Sequence, residues 1–182
     1  EKYEPVAVQK NLLEEYTQQA GVLVALYEEQ NSLKVILTRR SPHLSTHAHQ
    51  VSFPGGHQEK VDKDLWSTAL REAQEETGLD PSLPQKIGQL DAIVTVGSGT
   101  LIHPFVALLP HRPELKANSA EVEMIRHVDI AELLKEETWR EEYWEREERS
   151  HAVTFFEIPE ETIWGATANI LRQLLTLGLG IV

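Results

Sequence analysis

The chain has 182 residues, 41% of them hydrophobic and 25% charged, which suits one domain over residues 1–182 with a full apolar core. Its formal net charge is −12, from 17 Lys and Arg against 29 Asp and Glu; that surface argues against nucleic acid as a partner, because binding along phosphates relies on basic side chains. There is no cysteine, which excludes disulfides, thiolate zinc sites and cysteine nucleophiles and fits a reducing compartment such as the cytoplasm.

The opening EKYEPVAVQK lacks the apolar stretch of a secretory signal. The apolar run Ile170 to Val182 is interrupted by Arg172 and Gln173 and is too short to span a bilayer. The expectation is a soluble protein with no membrane partner. Residues 6–20 suit a short amphipathic helix carried by Val6, Leu12, Leu13 and Tyr16. Val22 to Tyr27 and Leu33 to Leu37 are β-rich runs on either side of a polar turn, EEQNS, and read as a hairpin. Arg39 and Arg40 follow the second strand; two adjacent arginines at a strand end either hold phosphate or are ordinary surface charge.

SPHLSTHAHQ is a polar loop with His43, His47 and His49. Their spacing invites a zinc reading, but the loop has no helical period and only His57 stands nearby as a fourth ligand. VSFPGG then reads as a short strand that breaks at Pro54, after which Gly55 and Gly56 let a ligand approach the backbone closely.

A helix is predicted next, capped by Asp62 or Asp64 and closed by Gly78, with Leu79 supplying the apolar contact beyond the cap. Leu65, Ala69 and Ala73 form its apolar stripe, widened by Trp66 and Leu70. On this helix Glu72, Glu75 and Glu76 fall at i, i+3 and i+4 and share a face, while Arg71 and Glu75 make an i, i+4 pair. Two such carboxylates about 6 Å apart repel by roughly 3 kcal/mol at an effective dielectric near 20. They must stay in water or be neutralised, and a bound divalent metal is the usual neutraliser of converging carboxylates.

Beyond the PSLPQ loop, Ile87 to Val96 and Leu101 to Leu109 read as strands with a flexible connection between them. A further strand is expected to begin near Glu121, followed by a helix from Asp129. Lys135 to Arg149 is densely charged yet carries Trp139, Tyr143 and Trp144, whose i, i+4, i+5 spacing suggests one sticky edge for core packing or a homodimer contact. Ala152 to Ile158 is a last strand, and Ile163 to Leu177 a closing helix with Ile170, Leu171, Leu174 and Leu175 turned to the core. Strands and helices mix without strict alternation, which predicts a mixed sheet with helices on both faces.

The segment REAQEETGL, residues 71–79, resembles the core of the Nudix hydrolase box, R-E-U-x-E-E-x-G-U with U apolar; Arg71, Glu72, Ala73, Glu75, Glu76, Gly78 and Leu79 match it. The common box has a glycine fourteen positions before the arginine and a glutamate eight before it, where this chain has His57 and Lys63. Shifting by one residue gives Gly56, five residues and Asp62, a box one residue longer with Asp in place of the first Glu. LTRRSPHLSTHAHQVSFPGG, the TAL before Arg71 and IWGATANIL look like the coenzyme A pyrophosphatase branch, and the resemblance runs from about Val22 to Leu175. That branch carries an Arg and a Gly where this chain has Ser45 and His49, and often a Lys where it has His57.

The resemblance implies an α/β fold, the Nudix-type α/β/α sandwich with a mixed β-sheet, and hydrolysis of a nucleoside diphosphate linked to another moiety. It implies Mg2+ or Mn2+ held by Glu72, Glu75 and Glu76 with a main-chain carbonyl at Gly55 or Gly56, and Arg71 locking those carboxylates in place. Glu75 and Glu121 are the implied candidates for general base, and Arg39, Arg40, His47 and His57 the candidate contacts for a small nucleotide substrate. Three readings remain: a diphosphatase for coenzyme A or its thioesters, one for ADP-ribose or a dinucleotide, and a nucleotide-binding module without turnover.

Overall fold

The computed structural model describes residues 18–43, 48–95, 99–146 and 149–178. The amphipathic segment expected over residues 6–20 lies largely outside them; Gln19 and Ala20, its last residues, already belong to a strand. Among the described residues the chain forms an eight-stranded sheet, a three-stranded sheet and three α-helices.

β1 (Gln19–Glu29) and β2 (Ser32–Arg40) are the predicted hairpin, closed by Gln30 and Asn31 at positive φ. β3 (Val51–Ser52) pairs with β2, and β4 (Gly55–His57) returns antiparallel to β1. The sequence reading missed β4, because two glycines next to a proline signal a loop more strongly than a strand. After helix α1 (Leu65–Thr77) come β5 (Gln85–Gln89) and β6 (Ile93–Val94), so the single strand expected over 87–96 is two short ones, both on β7 (Leu101–Leu108). β7 runs parallel to β1 and closes the order β3-β2-β1-β7-β5, which makes the sheet mixed. β8 (Val122–Asp129) lies antiparallel on the other side of β2, with its register shifting between Arg39 and Arg40. It leads into the short helix α2 (Ile130–Leu133), capped by Asp129 as expected.

The expected sticky edge is reinterpreted. β9 (Trp139–Arg146) is a strand, so Trp139 and Tyr143 share one face and Trp144 takes the other. There Trp144 lies 6.0 Å from the Phe155 ring and 6.5 Å from Trp164. β9 pairs with β10 (Arg149–Ile158), and β10 with β11 (Glu161–Trp164). Ile163 and Trp164 therefore belong to β11, and the closing helix α3 (Gly165–Gln173) begins at Gly165 before a π-helical turn, Leu174–Gly178. Strand pairing with β10 outcompetes the helical period at those two positions. Among the described residues no helix is long and apolar enough to cross a membrane.

The core explains why α1 sits where it does. In β1, Val22, Val24 and Leu26 face a cluster containing Phe156, Ile163, Ile170 and Leu171, while Leu23, Ala25 and Tyr27 face Ala69 and Ala73 of α1. Burial on both faces turns the strand into a near-continuous apolar run. Helix α1 approaches the strand most closely at Gly21, where an added Cβ would stand 2.2 Å from the Leu65 carbonyl oxygen. Gly21→Ala therefore forces the N-terminal turn of α1 off the sheet. The expected loss is about 1–3 kcal/mol in urea unfolding, the range for overpacking a tight contact. An unchanged midpoint would show that α1 is not seated by this contact.

Candidate active site

Helix α1 is framed as its sequence suggests. Asp64 is the N-cap, its Oδ1 accepting from the Ser67 amide at 2.7 Å, and Gly78 closes the helix in the left-handed region at φ 69°. Of the two candidate caps, Asp62 does something else. Its carboxylate takes Arg71 Nε at 2.9 Å and Nη2 at 3.1 Å, the Glu59 amide at 2.9 Å and the Thr68 hydroxyl at 3.0 Å. These donors, the Arg71 guanidinium first, hold the Asp62 carboxyl down at about 2, and Arg71 is held more firmly protonated in return. The role of the first glutamate of the box is thus taken by an aspartate one residue earlier in the chain, nine positions before Arg71.

Arg71 also donates from Nη2 to the His57 carbonyl at 3.1 Å, while its Nη1 lies 3.0 Å from both Glu72 Oε1 and Glu75 Oε2. One guanidinium therefore ties the loop before the helix to two of the three helix carboxylates. Glu72 lies directly against the second glycine of β4: a Cβ on Gly56 would come 2.4 Å from its carboxyl carbon. Glu76 is buried, and the Gly55 amide donates to its Oε2 at 3.2 Å. Glu75 is the most exposed of the three, with 53% of its side chain accessible.

Burial pushes the Glu76 carboxyl up to about 8; the charges of Glu72 and Glu121 add to the rise, and the Gly55 amide and Arg40 oppose it. Burial also raises Glu72, against the pull of Arg71 and with Glu75 and Glu121 adding. Glu121, at the entrance to β8, therefore lies within the field of both carboxylates. Its own carbonyl accepts from the Ser41 amide at 2.8 Å, which fastens it to the end of β2.

Among the described residues no three acidic or histidine side chains converge tightly enough to hold an ion where they now stand. Glu72 and Glu75 stand instead beside Arg71 Nη1. The donor set still fits a hard divalent cation. It is all oxygen, and it includes a carboxyl that burial, with the neighbouring charges of Glu72 and Glu121, keeps above its ordinary range.

The expected substrate contacts separate. Arg39 is committed to Glu123 and Glu161, each at 3.0 Å, in place of the phosphate role its position suggested. Arg40 instead lends its charge to Glu76, and its Nε is buried with no hydrogen-bond partner among the described residues. The side chain of His57 is exposed beside the helix carboxylates. His47 lies outside the described residues, as does Ser45. Among the described residues His49 joins no histidine cluster; its φ is 62° and its Nδ1 lies 3.4 Å from Glu123. Sequence reasoning did not single out Glu123 or Glu161, since neither stands near the box in the chain and a lone glutamate carries no periodic signal.

Residues 17–149 match the model of the NUDIX domain. The chain belongs to the Nudix hydrolase family. It is 40% identical over 165 residues to the chloroplastic Nudix hydrolase 22 of Arabidopsis thaliana, a match covering 87% of this chain and 54% of that protein. It is 41% identical over 140 residues to the Nudix hydrolase NudL of Photorhabdus laumondii, covering 77% of this chain and 74% of that one. The chain thus spans about half the length of the plant relative and about three quarters of the bacterial one. In three dimensions it is similar to a MutT/nudix family protein from Enterococcus faecalis, with a TM-score of 0.61, 16% identity and coverage of 90% of this chain and 62% of that chain. That likeness establishes the Nudix α/β/α sandwich. Nudix hydrolases act on nucleoside diphosphate derivatives and generally use divalent cations.

A cation entering this site at neutral pH displaces the proton of Glu76. Its affinity is expected to rise by up to about tenfold per pH unit between pH 6 and 8 and to level off above that. Calorimetry in buffers of different ionisation enthalpy should show proton release, and Glu76→Gln should abolish both the release and the slope. Binding with no proton release in the parent protein would exclude Glu76 as the displaced acid.

Proposed function

We propose that the protein is a divalent-cation-dependent diphosphatase that cleaves the pyrophosphate linkage of coenzyme A or its thioesters, releasing adenosine 3′,5′-bisphosphate and a 4′-phosphopantetheine compound. The observation that carries the reaction is the pair of carboxylates, half-buried Glu72 and buried Glu76, packed against Gly55 and Gly56 with Arg71 locked beside them. The flanking segments resembling the coenzyme A branch, FPGG before the helix and IWGATANIL at the end of the described chain, support the substrate.

In this reading Glu72, Glu75, Glu76 and a main-chain carbonyl at Gly55 or Gly56 hold Mg2+ or Mn2+. Such an ion neutralises charge on the diphosphate and acidifies the attacking water. Arg71, held on Asp62, orients the carboxylates that would hold the ion. Water attacks one phosphorus, the bond from that phosphorus to the bridging oxygen breaks, and the water's proton passes to a glutamate. Glu121 and Glu75 are the two exposed carboxylates beside the site and are the candidate bases. Arg40 supplies a guanidinium to the diphosphate from the β2 side, and His57 lies at the opening.

A second reading, ADP-ribose or a dinucleotide as substrate, is favoured by one observation. His49 holds a left-handed conformation at the position where the coenzyme A branch carries glycine, and it ties that loop end to Glu123. A panel of nucleoside diphosphate derivatives with product identification separates the two. The expected result is cleavage of coenzyme A with Mg2+ or Mn2+, and a fall in kcat of at least about a hundredfold in Glu72→Gln and Glu76→Gln with the fold retained. Cleavage of ADP-ribose with coenzyme A left intact would move the assignment to the second reading. A parent protein inert across the whole panel would make it a binding module.

A further inference from the structure

The arginine doublet at the end of β2 is divided by its contacts, Arg39 with Glu161 and Arg40 in the field of Glu76. Glu161 comes from the segment of β11 that precedes IWGATA. Glu161 keeps only 5% of its side chain accessible. One of its oxygens, Oε1, accepts from Arg39 Nη1 at 3.0 Å, Arg126 Nη2 at 3.0 Å and Arg126 Nε at 3.3 Å. Glu160, at φ 68°, adds a contact to Arg126 at 3.2 Å, and Glu123 takes Arg39 Nε at 3.0 Å.

We infer that Glu161 is a positioning residue for Arg40: by binding Arg39 and Arg126 together it fixes the end of β2 so that Arg40, with its Nε unpaired among the described residues, is held over the carboxylates for the substrate's anionic group. The inference rests on the proposed diphosphatase reading for the identity of that anion, and on geometry alone for the clamp. The strand end concerned is the place where the β2–β8 register shifts, between Arg39 and Arg40. Three backbone bonds converge on it: Arg40 amide to Gln50 carbonyl at 3.0 Å, His49 amide to Arg40 carbonyl at 3.2 Å, and Ser41 amide to Glu121 carbonyl at 2.8 Å. A register shift locally disrupts the ladder and bends the strand, so side-chain contacts add to these backbone bonds in setting its course.

Glu161 is well suited to that task. It is a buried carboxylate between two guanidiniums, and removing its charge leaves Arg39 and Arg126 facing each other with little water between them. A second tie from the same region points the same way: the Thr167 hydroxyl, in the first turn of α3, donates to the Val51 carbonyl of β3 at 3.0 Å. The small sheet and α3 thus hold both β2 and β3 where the chain leaves and returns to the sheet.

The test is residue-resolved amide exchange on Glu161→Gln, with Glu161→Asp as a milder variant should the first not fold. The amides of Arg40, Ser41 and His49 are expected to exchange about tenfold faster while those of α1 are unchanged, the loss of a hydrogen bond to charged groups being felt locally. Unchanged exchange, or the same acceleration throughout α1, would overturn the inference. With substrate, Glu161→Gln should raise KM about tenfold with kcat within about twofold, and should add nothing further in an Arg40→Gln background. Multiplying effects in the double variant would show that Glu161 does not act through Arg40. If the parent protein cleaves no nucleoside diphosphate derivative, the diphosphatase reading fails on its own, and the exchange measurement still decides the clamp.

Discussion

The Arg71–Asp62 pair is the interaction on which the site depends. A helix that places three glutamates on one face, two of them turned into the protein, is unstable as an isolated arrangement, because each buried charge is denied water and faces its neighbours. Arg71 relieves part of this by standing beside Glu72 and Glu75, but a guanidinium held only by the carboxylates it serves would be free to swing away. Asp62 prevents that with a two-point contact, and its own remaining acceptor capacity is used by the Glu59 amide and the Thr68 hydroxyl. The loop before the helix and the helix face are thereby joined through one side chain. The extra residue in this loop changes which residue supplies the carboxylate, and the geometry of a fork on a fork is kept.

What Arg71 leaves unrelieved is Glu76. It faces the glycines of β4, receives one amide hydrogen bond, and still sits with its carboxyl raised to about 8. Gly55 and Gly56 contribute by having no side chains: at Gly56 any Cβ would occupy the space of the Glu72 carboxylate. Close packing of backbone against carboxylate on one side and burial on the other take Glu76 out of water. That burial, more than the number of acidic residues, distinguishes α1 from the glutamate-rich segment over residues 136–145, where the carboxylates are exposed or paired among the described residues.

Much of this was legible in the residues. The apolar stripe and both caps of α1 follow from local chemistry, as does the hairpin of β1 and β2, because burial on both faces leaves an unbroken apolar run that only a central strand explains. The strand β4 was not legible, since its pairing with β1 is set by tertiary packing at Gly21 and overrides the loop propensity of glycine. The start of α3 was misread for a related reason: Ile163 and Trp164 suit a helical period and a strand equally, and pairing with β10 decides between them. At the site, Glu72, Glu75, Glu76 and Arg71 could be placed on one face from spacing alone. That Glu161 takes Arg39 could not be read so, because the two stand 122 residues apart in the chain.

The net charge of −12 makes the division of those two arginines consequential. A diphosphate approaching this surface is repelled unless it meets positive charge locally, and the site offers two sources of different kinds. A divalent ion at the helix carboxylates neutralises the diphosphate and Glu76 together, so ion and substrate are expected to strengthen each other's binding by relieving the same excess of negative charge. In the proposed reading Arg40 is the second source, and it shares its charge with Glu76 unless Glu76 holds a proton or an ion. Arg39, committed to Glu123 and Glu161, cannot substitute for it. Selectivity for the diphosphate in this protein would therefore come from the ordering of charges along one strand end and one helix face, while the rest of the acidic surface keeps other polyanions away.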